Sequence, residues 1–163
     1  AAVLSDPRQS GAAPLPGEAV IGIEASHVSP LAAALVQRAR AEGASVVIGE
    51  ALAAPAGDET LPAFGQAPRT GAATVLSGAG SGSQQHVALA AAGAHVIVAF
   101  PALDDAPVGF PVCPVIAVAG ASELHDALGD DFDLRGDATA AELWALVVAV
   151  RAGQATAAEA RGS

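Results

Sequence analysis

The chain has 163 residues, of which 52 % are hydrophobic and 15 % charged, with a formal net charge of −10. This is the size of one ordinary domain with apolar material for a full core, and its acidity disfavours nucleic acid and anionic membrane as partners. There is no lysine, tyrosine or methionine, one tryptophan and one cysteine, Cys113. That excludes a Schiff-base lysine, an aromatic base-stacking platform, an intrachain disulfide and a cysteine-rich zinc site.

Residues 1–17, rich in Ala, Pro, Gly and Ser, read as a flexible leader, with a single α/β domain over 18–163. Ala19–Ile23 is a short apolar run suited to a buried strand. Ser29-Pro30 offers an N-cap followed by proline at the first helical position, and the helix is expected to run to about Glu42 and stop at Gly43. Ser45–Ile48 is the next strand and completes a βαβ unit. Ala51–Gly71 breaks the pattern and reads as a long connection holding at most one short helical turn.

The pattern restarts with a strand at Ala73–Leu76, a glycine-rich turn at Gly78–Ser83, a helix over Gln84–Ala92 and a strand over His95–Phe100. Val115–Val118 is a fifth strand, entered through Pro114, and a short helix follows near Ser122–Leu128. Thr139 and Glu142 form a capping box, after which Leu143, Leu146, Val147 and Val150 fall on one helical face. Thr156 and Glu159 repeat the box. Strands alternating with helices predict a three-layer, Rossmann-like α/β domain with a mostly parallel sheet of about five strands. No apolar run reaches the ~18 residues that span a bilayer, and no secretory pattern opens the chain, so the expected compartment is the cytoplasm.

In a parallel sheet, ligands bind beyond the carboxyl ends of the strands. Those ends hold Glu24, Ser26 and His27, then Glu50, then the turn with Ser77, Gly78, Gly80, Ser81, Gly82 and Ser83, then Asp104 and Asp105. Glu24 and His27 make a candidate acid/base pair or part of a metal site, with Glu50 or Asp104 as a third ligand. The alternative is that both cap the following helix and face water. The glycine-rich turn opens a helix, so its N–H groups can hold a carboxylate or phosphate, or it is simply a tight turn. As a dinucleotide fingerprint it is incomplete, because Ser83 stands at the third glycine position. His86, His95 and His125 read as structural or solvent-facing, Asp130, Asp131 and Asp133 as a solvated turn, and Cys113 as a small buried hydrophobe.

Five segments, in order, carry a resemblance: Ala91-Ala92-Gly93-Ala94 leading into a strand, Phe110-Pro111-Val112-Cys113-Pro114-Val115-Ile116, Asp130-Asp131-Phe132-Asp133, Thr139–Glu142, and Gly153–Glu159. Together they resemble the C-terminal part of the altronate/galactarate dehydratases, and Val20–Glu50 resembles that family's other βαβ segment. The resemblance implies a carbon–oxygen lyase scaffold for hydroxy acids, a divalent metal, and an N-terminal domain that is sometimes a separate chain. The polar loops depart from the family. Glu24–His27 replaces a Cys-Gly-Gly-Ser-Asp-like segment, Ser77–Gly80 an Asp-Thr-Pro-Gly-like turn, and Phe100–Asp105 a Thr-Thr-Gly-Arg-Gly-like loop. The reading is a diverged sugar-acid dehydratase-like protein, active alone, active with a partner chain, or with its activity lost, with Glu24 or His27 as base. The alternative is a non-catalytic module that binds a small anion or another subunit, including a second copy of itself.

Overall fold

The computed structural model describes residues 19–53, 57–65, 68–102, 108–120 and 122–162. The expected leader at 1–17 and the candidates Asp104 and Asp105 lie outside the described residues. Six strands form one sheet: β1 (Val20–Ala25), β2 (Ser45–Gly49), β3 (Glu59–Pro62), β4 (Ala73–Ser77), β5 (Val96–Phe100) and β6 (Val115–Ala117), in the order β3-β4-β2-β1-β5-β6. Every pairing is parallel. The helices are α1 (Pro30–Ala41), α2 (Ser83–Ala91), α3 (Ser122–Leu128), α4 (Ala140–Arg151) and α5 (Ala157–Ala160). None of the described helices is long and apolar enough to cross a membrane.

The central strands are buried along their length, as a parallel sheet covered on both faces requires. Side chains alternate between two cores. Ile21, Ile23, Val46, Ile48, Val98 and Phe100 pack with α1 and α4. Val47, Leu76, Ile97 and Ala99 pack under α2, through Ala88 and Leu89. The local signals explain the helix starts. Ser29 accepts from the Ala32 N–H with Pro30 in the first turn of α1, and α4 and α5 each carry a complete capping box. Leu143, Val147 and Val150 are fully buried, with Leu146 and Trp144 packed at the margin of the same core.

Three expectations need correction. The connection at 51–71 holds β3, an edge strand where a loop with at most one helical turn was expected, and the sheet of six strands is close to the expected count of about five. β3 is an edge strand of four residues whose exposure alternates, ending in Pro62, so it carries no apolar run to read. β1 continues to Ala25, two residues beyond the expected end, which places Glu24 inside the sheet rather than in the following loop. Asp133 is not in a solvated turn. Its Oδ2 accepts from the Ala117 N–H at 2.8 Å and its Oδ1 from the Ala157 N–H at 2.6 Å, joining β6 to the start of α5. Asp131 pairs with Arg161 across the same corner.

The Asp133 carboxylate is the acceptor for two part-buried backbone donors, so truncation leaves both unmade. Asp133→Ala is expected to lower unfolding stability by about 3 kcal/mol in urea titration, because hydrogen bonds to charged groups contribute more than neutral ones. A second check concerns Cys113. It is 8 % exposed, and burial, followed by the charge of Glu159, pushes its thiol up to about 11. Native protein at pH 8 is therefore expected to resist iodoacetamide, and protein in denaturant to react fully.

Candidate active site at the carboxyl edge of the sheet

All six strands end at one edge, and the strand order reverses direction beside β1, with β2 on one side and β5 on the other. That is where an open parallel sheet forms a ligand crevice. On the α2 side, Glu24 stands opposite Ala99 of β5. Gly49 of β2 follows Ile48, the partner of Ile23, and so lies beside Glu24. A Cβ on Gly49 would sit 2.3 Å from Gln85 Nε2. The bare glycine lets Gln85 lie over β2 and donate from Nε2 to the Gly80 carbonyl at 2.9 Å.

The next residue of α2 is His86, 3 % exposed, with Nε2 3.9 Å from Oε2 of Glu24, itself 5 % exposed. The Phe110 ring meets the imidazole edge-on, with centroids 6.3 Å apart. Burial pushes the His86 pKa down. A carboxylate at 3.9 Å favours the charged form, but desolvation dominates, so the imidazole is neutral at pH 7. Neither ring nitrogen of His86 has a hydrogen-bond partner among the described residues, nor has Gln85 Oε1.

The glycine-rich turn borders this pair. Gly78, Gly80 and Gly82 have φ of 75°, 73° and 55°, so the turn needs glycine at alternate positions. α2 then starts at Ser83 after Gly82, which makes no side-chain cap hydrogen bond to its first-turn N–H groups. Glu50 anchors the turn's first half: its Oε1 accepts from Ser77 Oγ at 2.8 Å and from the Gly78 N–H at 3.4 Å. An incoming carboxylate meets this negative charge at Gly78 but not at the helix start. Ser81 is exposed beside it. Outside the turn, Phe64, Ala79, Gln84 and Val87 line a shallow depression of about 320 Å³. Phe64 is 67 % exposed with φ of 62°.

His27 lies elsewhere. It lines a crevice of about 230 Å³ with Ser29, Pro30, Phe100, Val118 and Gly136, on the α1 side of the sheet. Its Nδ1 lies 3.2 Å from the exposed Ser26 Oγ. The sheet thus separates the proposed partners, and the histidine that approaches Glu24 is His86. The sequence carries one signal for this. His86 precedes Leu89 by three residues, which places it on the apolar face of α2. His95 sits at the opposite, amino edge, accepting the Val20 N–H at Nδ1. Among the described residues no three of His, Cys, Asp or Glu are grouped so as to hold a metal ion.

Because the folded chain resists protonation at His86, whose ordinary value is 6.5, and the unfolded chain does not, stability is full above about pH 6.5 and declines below it. His95, also lowered, first by burial and then by Arg151, acts with the same sign. Melting between pH 8 and pH 5 is expected to show this loss, and His86→Gln to flatten it.

No curated protein matches the chain. The family model for the D-galactarate/altronate dehydratase C-terminal domain matches residues 59–163, from β3 to the end, more than half of the chain. With its all-parallel sheet and the glycine turn opening α2, the chain belongs to the D-galactarate/altronate dehydratase C-terminal family.

Proposed function

We propose that the chain is a diverged sugar-acid dehydratase-like protein of the carbon–oxygen lyase type, binding a hydroxy acid at the carboxyl edge of the α2 face. The observation that carries this reading is the buried Glu24 beside buried His86, next to the uncapped start of α2. Dehydration removes a proton α to a carboxylate and expels hydroxide from the neighbouring carbon, so it needs a base, a carboxylate anchor and an acid for the leaving oxygen. Glu24 is the base in this reading. The N–H groups at the start of α2 anchor the carboxylate, where peptide dipoles favour an anion. The departing hydroxide leaves as water with the proton that Glu24 has taken, and the resemblance alone implies a divalent ion that would assist its departure. That ion, like a partner chain carrying the family's N-terminal domain and a cytoplasmic setting, comes from the resemblance.

A second reading, an anion-binding or subunit-interaction module without turnover, is favoured by the exposed Phe64 and Val87 beside the turn. Melting of the purified chain with galactarate or altronate, each with and without Mg²⁺, Mn²⁺, Fe²⁺ or Ca²⁺, tests both. Saturating ligand that binds only the folded state is expected to raise Tm by about 5–10 °C. Glu24→Gln is expected to keep that shift and abolish loss of water from the substrate. A shift without turnover in wild-type protein selects the second reading, and no shift with any acid sinks both.

A further inference from the structure

We infer that His86 and Gln85 form a specificity site that receives a hydroxyl group of the bound acid. The inference rests on the function proposed above and assigns a role to residues it leaves unused. Three polar atoms, both ring nitrogens of His86 and Oε1 of Gln85, are buried without hydrogen-bond partners among the described residues. They lie on consecutive residues in the first turn of α2, and their side chains belong to residues 3 % and 4 % exposed. Such orphaned atoms are few in native proteins, and a cluster of them at the carboxyl edge of a parallel sheet points to a ligand group. The position is built rather than accidental. Gly49 leaves the space Gln85 fills, and the Gln85 amide is fixed by its bond to the Gly80 carbonyl, which orients Oε1.

The chemistry of the atoms selects the group. A carboxylate only accepts, so the imidazole edge facing Glu24 is best served as N–H, leaving Nδ1 as an acceptor. Gln85 Oε1 is a second acceptor. Two acceptors beside a carboxylate repel an anion and suit an O–H donor. The acid's carboxylate therefore sits at the N–H groups of α2 and one of its hydroxyls at His86. The site recognises the acid as hydroxylated, and an unsubstituted diacid leaves the acceptors unmet.

Titration calorimetry of the full chain with galactarate and with adipate, its deoxygenated six-carbon counterpart, tests this. Wild-type protein is expected to prefer galactarate by about tenfold or more, since a site built for a hydroxyl rejects the analogue that lacks it. His86→Phe is expected to weaken galactarate binding more than adipate binding, so that the preference is lost, and His86→Asn to restore part of it. An unchanged preference in a folded His86→Phe protein overturns the inference. So does equal binding of both diacids by wild type, which leaves the proposed carboxylate binding standing, or tighter binding of 2-aminoadipate than of 2-hydroxyadipate, which would assign the acceptors to an ammonium group. Binding of neither galactarate nor adipate removes the proposed function and the inference together. Should His86→Phe fail to fold, nitrogen NMR of the wild-type imidazole decides the matter: galactarate is expected to move the His86 ring signals and adipate not to, and identical spectra with both reject the role.

Discussion

The close seating of α2 on the sheet is the constraint from which the site follows. A Cβ on Gly22 would come within 3.1 Å of Ala94 and 3.2 Å of Leu89, and one on Gly49 would overlap Gln85. Both strands are stripped of side chains where the helix and its return pass over them. Close packing is the ordinary condition of a protein interior, and here it has a polar consequence. With Ala88 and Leu89 pressed onto Val47 and Ile97, the first turn of the same helix has no room to lift. Gln85 and His86 are carried into the interior against Glu24. A longer residue at either glycine would raise the helix, wet the imidazole and dissolve the pair.

Much of this architecture was legible because its signals are local. Ser29-Pro30 and the two Thr-Xaa-Xaa-Glu boxes set helix starts through bonds within one turn, and the apolar runs of β1, β2 and β5 leave no other place for those residues. The glycines of the turn are legible for the same reason, since only a left-handed backbone calls for three of them at alternate positions. β3 was not legible because an edge strand that ends in proline and shows alternating exposure looks like a loop. The geometry around the candidate site was legible only in part. Glu24 and the turn were marked by their place after strands, but the choice between His27 and His86 depends on which face of the sheet Glu24 points to. That depends on β1 running to Ala25, so that the alternation of the strand carries Glu24 to the face of Gly22 rather than into a loop.

The family match begins at β3 and therefore covers the turn and α2 but neither Glu24 nor Glu50. The two carboxylates come from the preceding βαβ unit and reach the turn through the parallel pairing of β1 with β2 and of β2 with β4. Glu50 closes the near end of the turn and Glu24 lies beneath its far end, at the helix. The two ends of the turn therefore differ: the Gly78 N–H is already bound by Glu50, whereas Gly82 offers the start of α2 no side-chain cap.

Asp133 has a consequence for how copies of the chain can meet. The N–H of Ala117 that would face outward from β6 is bound by that carboxylate, while the amides of Asp133 and Leu134 return to the Ala117 carbonyl and Val118 bridges to Leu134. The border of the sheet beyond β6 is thus sealed by the chain itself. The opposite border is the four-residue β3 with its terminal proline. Among the described residues, one border is therefore short and the other is already occupied by the chain's own backbone and the Asp133 carboxylate, which denies an added strand the hydrogen-bonding groups of Ala117.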